Sequence, residues 1–463
     1  MHTIVFHIPK RNDDHVEPLY LKANLMSGNL WRTIVALSCL FVLAQSIRSE
    51  DAIDRLKLHR LREQRAAIEV LQMKRHTFAV DRPYQDFRAN LHVHSAFSHD
   101  SRGKIEQIVA SAKAAHTQVL MFTEHPAPHY DIYDDGHRGI RDGVLMIPGA
   151  EMNGFLVFPK QSPRDFAAAE KQEFSDIICG RGGMIFISHL EERMDWEISG
   201  VTGCEIYNTH ADFKDEKRML ASLKNPLWLL QAKAMCDKYP QEALSALLDY
   251  PSDYLKRYDQ LCQIHPHTGI SANDAHQNVG LIIRLSEGDK VAVENPLGEV
   301  LLMLDRAVFA AVQAIPDGTP VGTELFRLQL DPYENSLKHV GTHLLMKELS
   351  VEAVWEALNA GRAFVAFDWM ADSNGFDLSL NEHEHRFEMG SQVAWQTGMS
   401  LHAVAPHAVH WKVFRNGEVD FETNGEQFSW SVARPGVYRV EAWLELAGKE
   451  QIWILANPFY VRN

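Results

Sequence analysis

The stretch RANLHVHSAFSHDSRG places His92, His94 and His99 around Asp100, directly after an apolar residue. Imidazole and carboxylate groups at this density suit a metal centre, because both offer lone pairs to a divalent cation. The triplet alone is weak evidence. With 24 His in 463 residues, a His-x-His pattern arises roughly once by chance. The chain holds three, at His92/His94, His265/His267 and His383/His385. The first is set apart by its company. Residues two apart in a strand face the same side, so His92 and His94 can address one ion. Asp274 and His276 in ANDAH repeat that spacing, while His125 closes MFTEH, Glu151 closes IPGAE and His189 closes FISHL.

The elements that must position these groups are short apolar runs between Ala89 and about Gly280: ANLHVHS, QVLMFTEH, VLMIPGAE, GMIFISHL, GCEIYNTH and TGISANDAH. Helix-like segments such as GKIEQIVASAKAAH separate them, which is the alternation of a parallel α/β domain. In α/β barrels, functional groups gather at the C-terminal ends of the strands. Five strand ends therefore deliver imidazole or carboxylate to one face, with Asp100 in the loop after the first. This donor mixture suits zinc, iron or manganese better than calcium or a thiolate-bound metal. A carboxylate such as Glu151 can bridge two ions, the arrangement that clamps attacking and leaving oxygens in hydrolysis.

The ordered set HVH, SHD, TEH, GAE, SHL and NDAH resembles the polymerase and histidinol phosphatase (PHP) superfamily, over roughly Phe87 to Gly280 and on toward Leu349. The resemblance implies an α/β fold, a distorted (β/α)7 TIM-like barrel over 84–350, with two or three divalent ions. By that likeness His92, His94, Glu151 and Asp274 hold the first ion. Glu151 bridges to a second, also held by His189, and Asp100, His125 and His276 hold a third. One departure stands out: many PHP proteins carry another His soon after the Glu of the third strand, whereas EMNGFLVFPK has Phe155 nearby. Asn153, Asn208 and His210 are the candidates to complete the second site. The ending PGVYRVEAWLELAGKEQIWILANPFYV is similar to the tail of the CehA/McbA-like metallohydrolases, a branch that includes a carbamate hydrolase. The implied activity is a metal-dependent hydrolase using a metal-held water. Phosphoesters are the superfamily default, and carbamates, esters or amides are the branch-level alternative. His210 and Asn208 are the candidate catalytic residues, His210 as a proton relay. The competing reading is a non-catalytic metal- or ligand-binding envelope protein.

The remaining text frames this domain. A net charge of -15 argues against nucleic-acid or anionic-membrane partners, which call for a basic footprint; a small-molecule or phosphoester substrate is expected instead. In WRTIVALSCLFVLAQS, Arg32 precedes an apolar run that ends in small residues, the pattern of a signal peptide cleaved near Ser46. Export is the expectation for a leader over 1–46, with Met26 a candidate start, and a membrane anchor through 33–45 is the alternative. Residues 47–83 read as a helical linker that docks on the body or ties it to the envelope. A helical insertion over 212–263 covers the site as a lid or thickens the outer layer; apolar helical spacing favours the layer. A connecting helix and a small all-β sandwich fill 351–463, with turns expected at Asn416-Gly417, Asn424-Gly425 and Pro435-Gly436. His129, Arg138 and Arg141, in the loop after the second strand, are candidates for substrate contact or solvated charge. Asp212 shares that choice between substrate contact and a local turn. His265 and His267 precede the strand that delivers Asp274 and belong at its far end in a structural role; His383 and His385 read as solvated. Cys179, Cys204, Cys236 and Cys262 lack metal-binding spacing and read as free thiols.

Overall fold

Each buried apolar run becomes a strand, and the polar residue that closes it lands at or just past the strand end. A computed structural model describes residues 52–80, 82–211, 226–246, 249–311 and 313–463. The leader, its apolar run with Cys39, the cleavage position near Ser46 and Asp212 lie outside the described residues. Among those described, no helix is long and apolar enough to cross a membrane.

The site-bearing strands are β1 (Gln85–Val93), β2 (Val119–Phe122), β3 (Gly139–Arg141), β4 (Val144–Ile147), β5 (Ala150–Met152), β6 (Phe155–Phe158), β7 (Met184–Ile187), β8 (Gly203–Asn208) and β9 (Thr268–Ala272). A four-stranded antiparallel sheet follows, made of β10 (Gly280–Ser286), β11 (Lys290–Glu294), β12 (Val300–Asp305) and β13 (Glu324–Gln329) in the order β12-β11-β10-β13. Then come β14 (Gly341–Met346) and β15 (Ala363–Ala366). The helices that pack on these strands are α1 (Leu58–Met73), α2 (Ile105–Ala114), α3 (Lys171–Gly180), α4 (Pro226–Lys238), α5 (Pro240–Ser245), α6 (Ser252–Ile264), α7 (Tyr333–His339) and α8 (Val351–Asn359).

β14, β1, β2 and β4 lie side by side, and β5 to β9 form a second sheet in chain order. Leu91, Met121 and Leu344 of the first sheet and Leu156, Phe186 and Ile270 of the second share one core, joined by Val354, Ala357 and Leu358 of α8. The closed seven-stranded barrel is not formed. The two sheets meet only at isolated bridges, Val93–Ala275 and Glu124–Ala150, among the described residues. The reason lies in EMNGF. Asn153 and Gly154 both take positive φ, 56° and 83°, and make a two-residue hairpin between β5 and β6. Such a turn joins antiparallel strands only. β6 therefore runs against both β5 and β7, and the parallel ring is broken there.

The C-terminal strands are β16 (Asp377–Glu382), β17 (His385–Phe387), β18 (Gln392–Ala394), β19 (Ser400–Arg415), β20 (Glu418–Ser431), β21 (Gly436–Leu446), β22 (Lys449–Ala456) and β23 (Phe459–Arg462). They form a β-rich region, but not a free-standing sandwich: β15 pairs β14 on one side and β22 on the other, so one 14-stranded sheet runs through both halves. Asn416 and Gly417 make the expected hairpin, with φ of 54° and 85°. Asn424-Gly425 does not turn the chain; it lies inside β20, opposite an irregular stretch of β19.

The helices of the insertion that are described, α4 to α6, belong to the outer layer. α6 packs Tyr254, Leu255, Tyr258 and Leu261 into the core beside Ile206 of β8. Its Asp259 holds Arg439 of β21 through two contacts of 2.9 Å. Arg439 also bonds Glu441, which accepts from Trp443 Nε1 at 3.0 Å. α1 docks on the body as well, burying Leu61 and Ile68 and pairing Arg65 Nη2 with Glu242 of α5 at 2.8 Å.

Two predictions follow from these buried charges. Arg439→Ala leaves Asp259 and Glu441 without their cation, so chemical denaturation should show a loss of about 3–5 kcal/mol. His343 lies between Asp86 and Asp368, 2.8 Å from each. Burial alone would lower its pKa, but the two carboxylates outweigh it and push it up to about 10. A group raised in the folded state stabilises fully below its unfolded pKa of 6.5, and that stability fades as pH climbs toward 10. His343→Gln should therefore destabilise the protein more at pH 6 than at pH 10 in parallel urea titrations.

Candidate metal centre

β1 carries His92 in its last turn of pleat, and His94 follows one residue beyond its end; both side chains are fully buried. His125 follows β2, Glu151 is the middle residue of β5, His189 follows β7, His210 follows β8, and Asp274 and His276 follow β9. His189 and Asp274 adopt left-handed backbone, with φ of 44° and 48°. That conformation costs an L-residue roughly 1–2 kcal/mol, so the surroundings must hold both in place.

Two groups of four result: His92, Glu151, His189 and Asp274; and His94, Asp100, His125 and His276. Within each group, one donor atom per residue lies within 4.8 Å of the others. His92 Nε2 stands 3.3 Å from Glu151 Oε2 and 3.2 Å from Asp274 Oδ1. His189 Nε2 is 3.2 Å from Glu151 Oε1. Asp100 Oδ2 is 3.4 Å from both His125 Nε2 and His276 Nε2. The groups abut, since His92 Nε2 and His94 Nε2 are 3.0 Å apart. His210 joins a third, overlapping set with Asp274 and His276, its Nδ1 lying 3.1 Å from Asp274 Oδ2. Relative to the sequence-based partition, His94 moves to the set of Asp100, and His189 joins the set of His92.

Burial by itself would keep these carboxyls protonated, but His92 and His189 pull Glu151 far below its usual range. His92, His210 and His276 do the same to Asp274. In return, and against their own burial, His92 is raised to about 10 and His189 to about 12. His94 moves the other way, because burial and its neighbour His276 disfavour its charged form. The cluster thus demands positive charge, which protons or cations can supply.

The donors fit divalent ions. Asp100 Oδ1, Asp274 Oδ1 and His276 Nε2 are buried and have no hydrogen-bond partner among the described residues, although each sits amid the other donors. The ring nitrogens turned away from the cluster are engaged. His92 Nδ1 meets Glu205 Oε1 at 2.7 Å, His94 Nδ1 meets Ser98 Oγ at 3.0 Å, and His189 Nδ1 meets Glu191 Oε1 at 3.1 Å. Such outer partners fix the ring orientation of metal-binding histidines. Glu205 accepts from the His189 amide and from Asn208 Nδ2 as well, and Glu124 accepts from Ser98 and the Ser95 amide. Glu205, Glu191, Glu124 and Ser98 escape a reading based on strand ends. Glu205 lies inside β8, where every residue is buried, so its position in the strand does not single it out.

Asn208 therefore supports the cluster through Glu205, 3.3 Å from His189 Nδ1. Asn153 does not take part: it shapes the hairpin and donates to Ala167 O. Phe155 is fully buried in the core. The structure does not bring His99, Arg138 or Arg141 into the cluster. His99 is largely exposed, Arg138 lies over Tyr133, and Arg141 pairs with Glu106 at 3.3 Å. His129 sits against the Tyr130 ring. His383 and His385 are exposed, as expected, and His267 is buried at the far end of β9. The four described cysteines are free.

Residues 90–263 match the family model of the PHP domain. The match takes in His92 through His210 and ends before Asp274 and His276. No curated protein matches the chain. Among solved structures, the chain is similar to a two-domain Bacteroides vulgatus protein described as containing a predicted PHP-like metal-dependent phosphoesterase, at 13% identity, with 82% of this chain and 98% of that chain covered and a TM-score of 0.34.

Glu205→Gln is expected to weaken divalent-ion binding about 10- to 100-fold, because it loosens His92 and His189 together. Competition against a chromogenic chelator measures it.

Proposed function

We propose that this chain is a PHP-type metal-dependent hydrolase whose substrates are phosphoesters, and that His92, His94, Asp100, His125, Glu151, His189, Asp274 and His276 hold two or three divalent ions. One observation carries the reading: the two abutting sets of four donors, with buried donor atoms that have no hydrogen-bond partner among the described residues. Zinc, manganese and iron suit the imidazole and carboxylate mixture. Ions bound there would acidify an attacking water and neutralise charge on the reacting oxygens.

The protein's own groups have separate tasks. Asp100, His125 and His210 are the part-exposed members, about a quarter accessible, so substrate approaches from their side. His210 Nδ1–H donates to Asp274, which leaves Nε2 to give or take a proton at the leaving oxygen. Asn208 and Glu205 hold His189 and His92 in register. The C-terminal likeness keeps carbamate cleavage as the alternative bond class. Export, through the leader over 1–46, belongs to the same proposal.

Metal analysis of the purified chain beside Asp274→Ala tests it, with p-nitrophenyl phosphate and an aryl carbamate assayed on the same samples. At least two ions per wild-type chain are expected. Phosphoester turnover should fall in the variant by more than the roughly 10- to 100-fold that loss of a supporting residue costs. Failure to take up transition metal after reconstitution would sink the hydrolase, and faster carbamate turnover would move the substrate class.

A further inference from the structure

The contact between the end of β2 and β5 stops where two of the donors stand, and the sequence supplies the reason. At the bridge Glu124–Ala150, the Glu124 amide donates to Gly149 O at 3.2 Å, and Glu124 O accepts from the Glu151 amide at 3.3 Å. The next two bonds of a parallel ladder would come from the amides of residues 126 and 128. Both residues are proline and have no N–H to give. The two chains therefore part just past the bridge, with His125 first on one and Glu151 first on the other. Their side chains still converge, His125 Nδ1 lying 3.9 Å from Glu151 Oε2.

A cavity of about 470 Å³ is lined by both parted chains, through Pro126, Ala127 and Pro128 on one and Met152 on the other. Pro163 and Ala167, from the segment after β6, line it as well. Neighbours in a strand face opposite sides, so Met152 turns away from the cluster that Glu151 faces. The cavity thus lies over the rim of β5 from the donors. β5 is the edge of its sheet, and among the described residues no further strand stands beside it there. Phe97, from the loop that carries Asp100, stacks on the cavity residue Tyr130 with ring centroids 4.9 Å apart. That contact ties the cavity wall to a second donor-bearing loop.

The polar side chains in these walls are engaged within the protein. Tyr130 OH donates to His125 O. Asp131 accepts from Ser162 Oγ and from the amides of Tyr133 and Asp134. Arg164 Nη2 donates to Tyr130 O at 2.8 Å, and its Nε lies 3.5 Å from Asp131 Oδ2. The remaining walls, from proline, alanine, Ile132 and Met152, offer a ligand hydrocarbon.

We infer that this cavity receives the apolar part of the substrate's alcohol, an alkyl or aryl group esterified to the phosphoryl group that the ions address. The inference rests on the hydrolase reading above and narrows its substrate class to phosphoesters of apolar alcohols. Sugar and polyol phosphates are disfavoured, because their hydroxyls would lose water here without gaining partners. The volume is within the range of small-molecule sites.

Calorimetric titration of the full chain, loaded with zinc or manganese, tests it with methylphosphonate, hexylphosphonate and dihydroxypropylphosphonate, none of which can be hydrolysed as an ester. Hexylphosphonate should bind at least about tenfold more tightly than either of the others, since each buried methylene is worth about fourfold. Ala127→Trp and Ala167→Trp each fill the cavity from a different segment, and either one that folds and keeps the wild-type ion content should erase that advantage. Equal affinity for hexyl- and methylphosphonate, tighter binding of the dihydroxypropyl compound, no binding of any phosphonate to the ion-loaded chain, or an advantage that survives the tryptophan would each overturn the inference and leave the ion cluster standing. Failure of the chain to take up ions would instead sink the hydrolase reading, and the inference with it.

Discussion

Everything at the strand ends answers to one buried carboxylate. Asp274 Oδ1 lies 3.2 Å from His92 Nε2, 3.5 Å from His94 Nε2 and 3.2 Å from His276 Nδ1; Oδ2 lies 3.1 Å from His210 and 3.6 Å from His189. An ionised carboxyl that is 6% exposed is tolerable only if opposite charge surrounds it. That charge must come from four different strands at once. The two bridges between the sheets fall where this demand is greatest. Val93–Ala275 lies between His92 and His94 and beside Asp274, and Glu124–Ala150 adjoins His125 and Glu151. The sheets touch where the donors need them to touch, and elsewhere, among the described residues, side chains fill the space between them.

The site was legible in the sequence because its donors terminate apolar runs. His92, His125, His189 and Asp274 each follow three or more buried residues and Glu151 follows two, and a strand end fixes direction as well as place. Glu205 and Glu191 were not legible in this way, since one sits within a strand and the other in a short turn after His189. Their role exists only through contacts of 2.7 and 3.1 Å to ring nitrogens from other parts of the chain. The break in the barrel was written in the sequence at Asn153-Gly154, directly after the strand that carries Glu151. Asn153-Gly154 is the same dipeptide that correctly marked the hairpin at Asn416-Gly417. At Asn424-Gly425 the dipeptide misled, because a long partner strand absorbed it as an irregularity. The β10–β13 sheet carries none of the site's donors, so the strand-end pattern does not mark it, although Gly288 and Asp289 form a turn of positive φ between β10 and β11.

The pairing of β15 with β22 carries a consequence for how the chain reaches this structure. β1 is flanked by β14, about 250 residues later, and β15 by β22, about 90 residues later still. Contacts of such long sequence separation form slowly, because loop closure comes before any gain from pairing. Until the last strands are made, β15 presents the free edge of a sheet whose interior residues are Phe364 and Val365. An unpaired apolar edge is a template for another chain. A chain that ends before Lys449 leaves the β15 edge that β22 covers open to pairing with another chain.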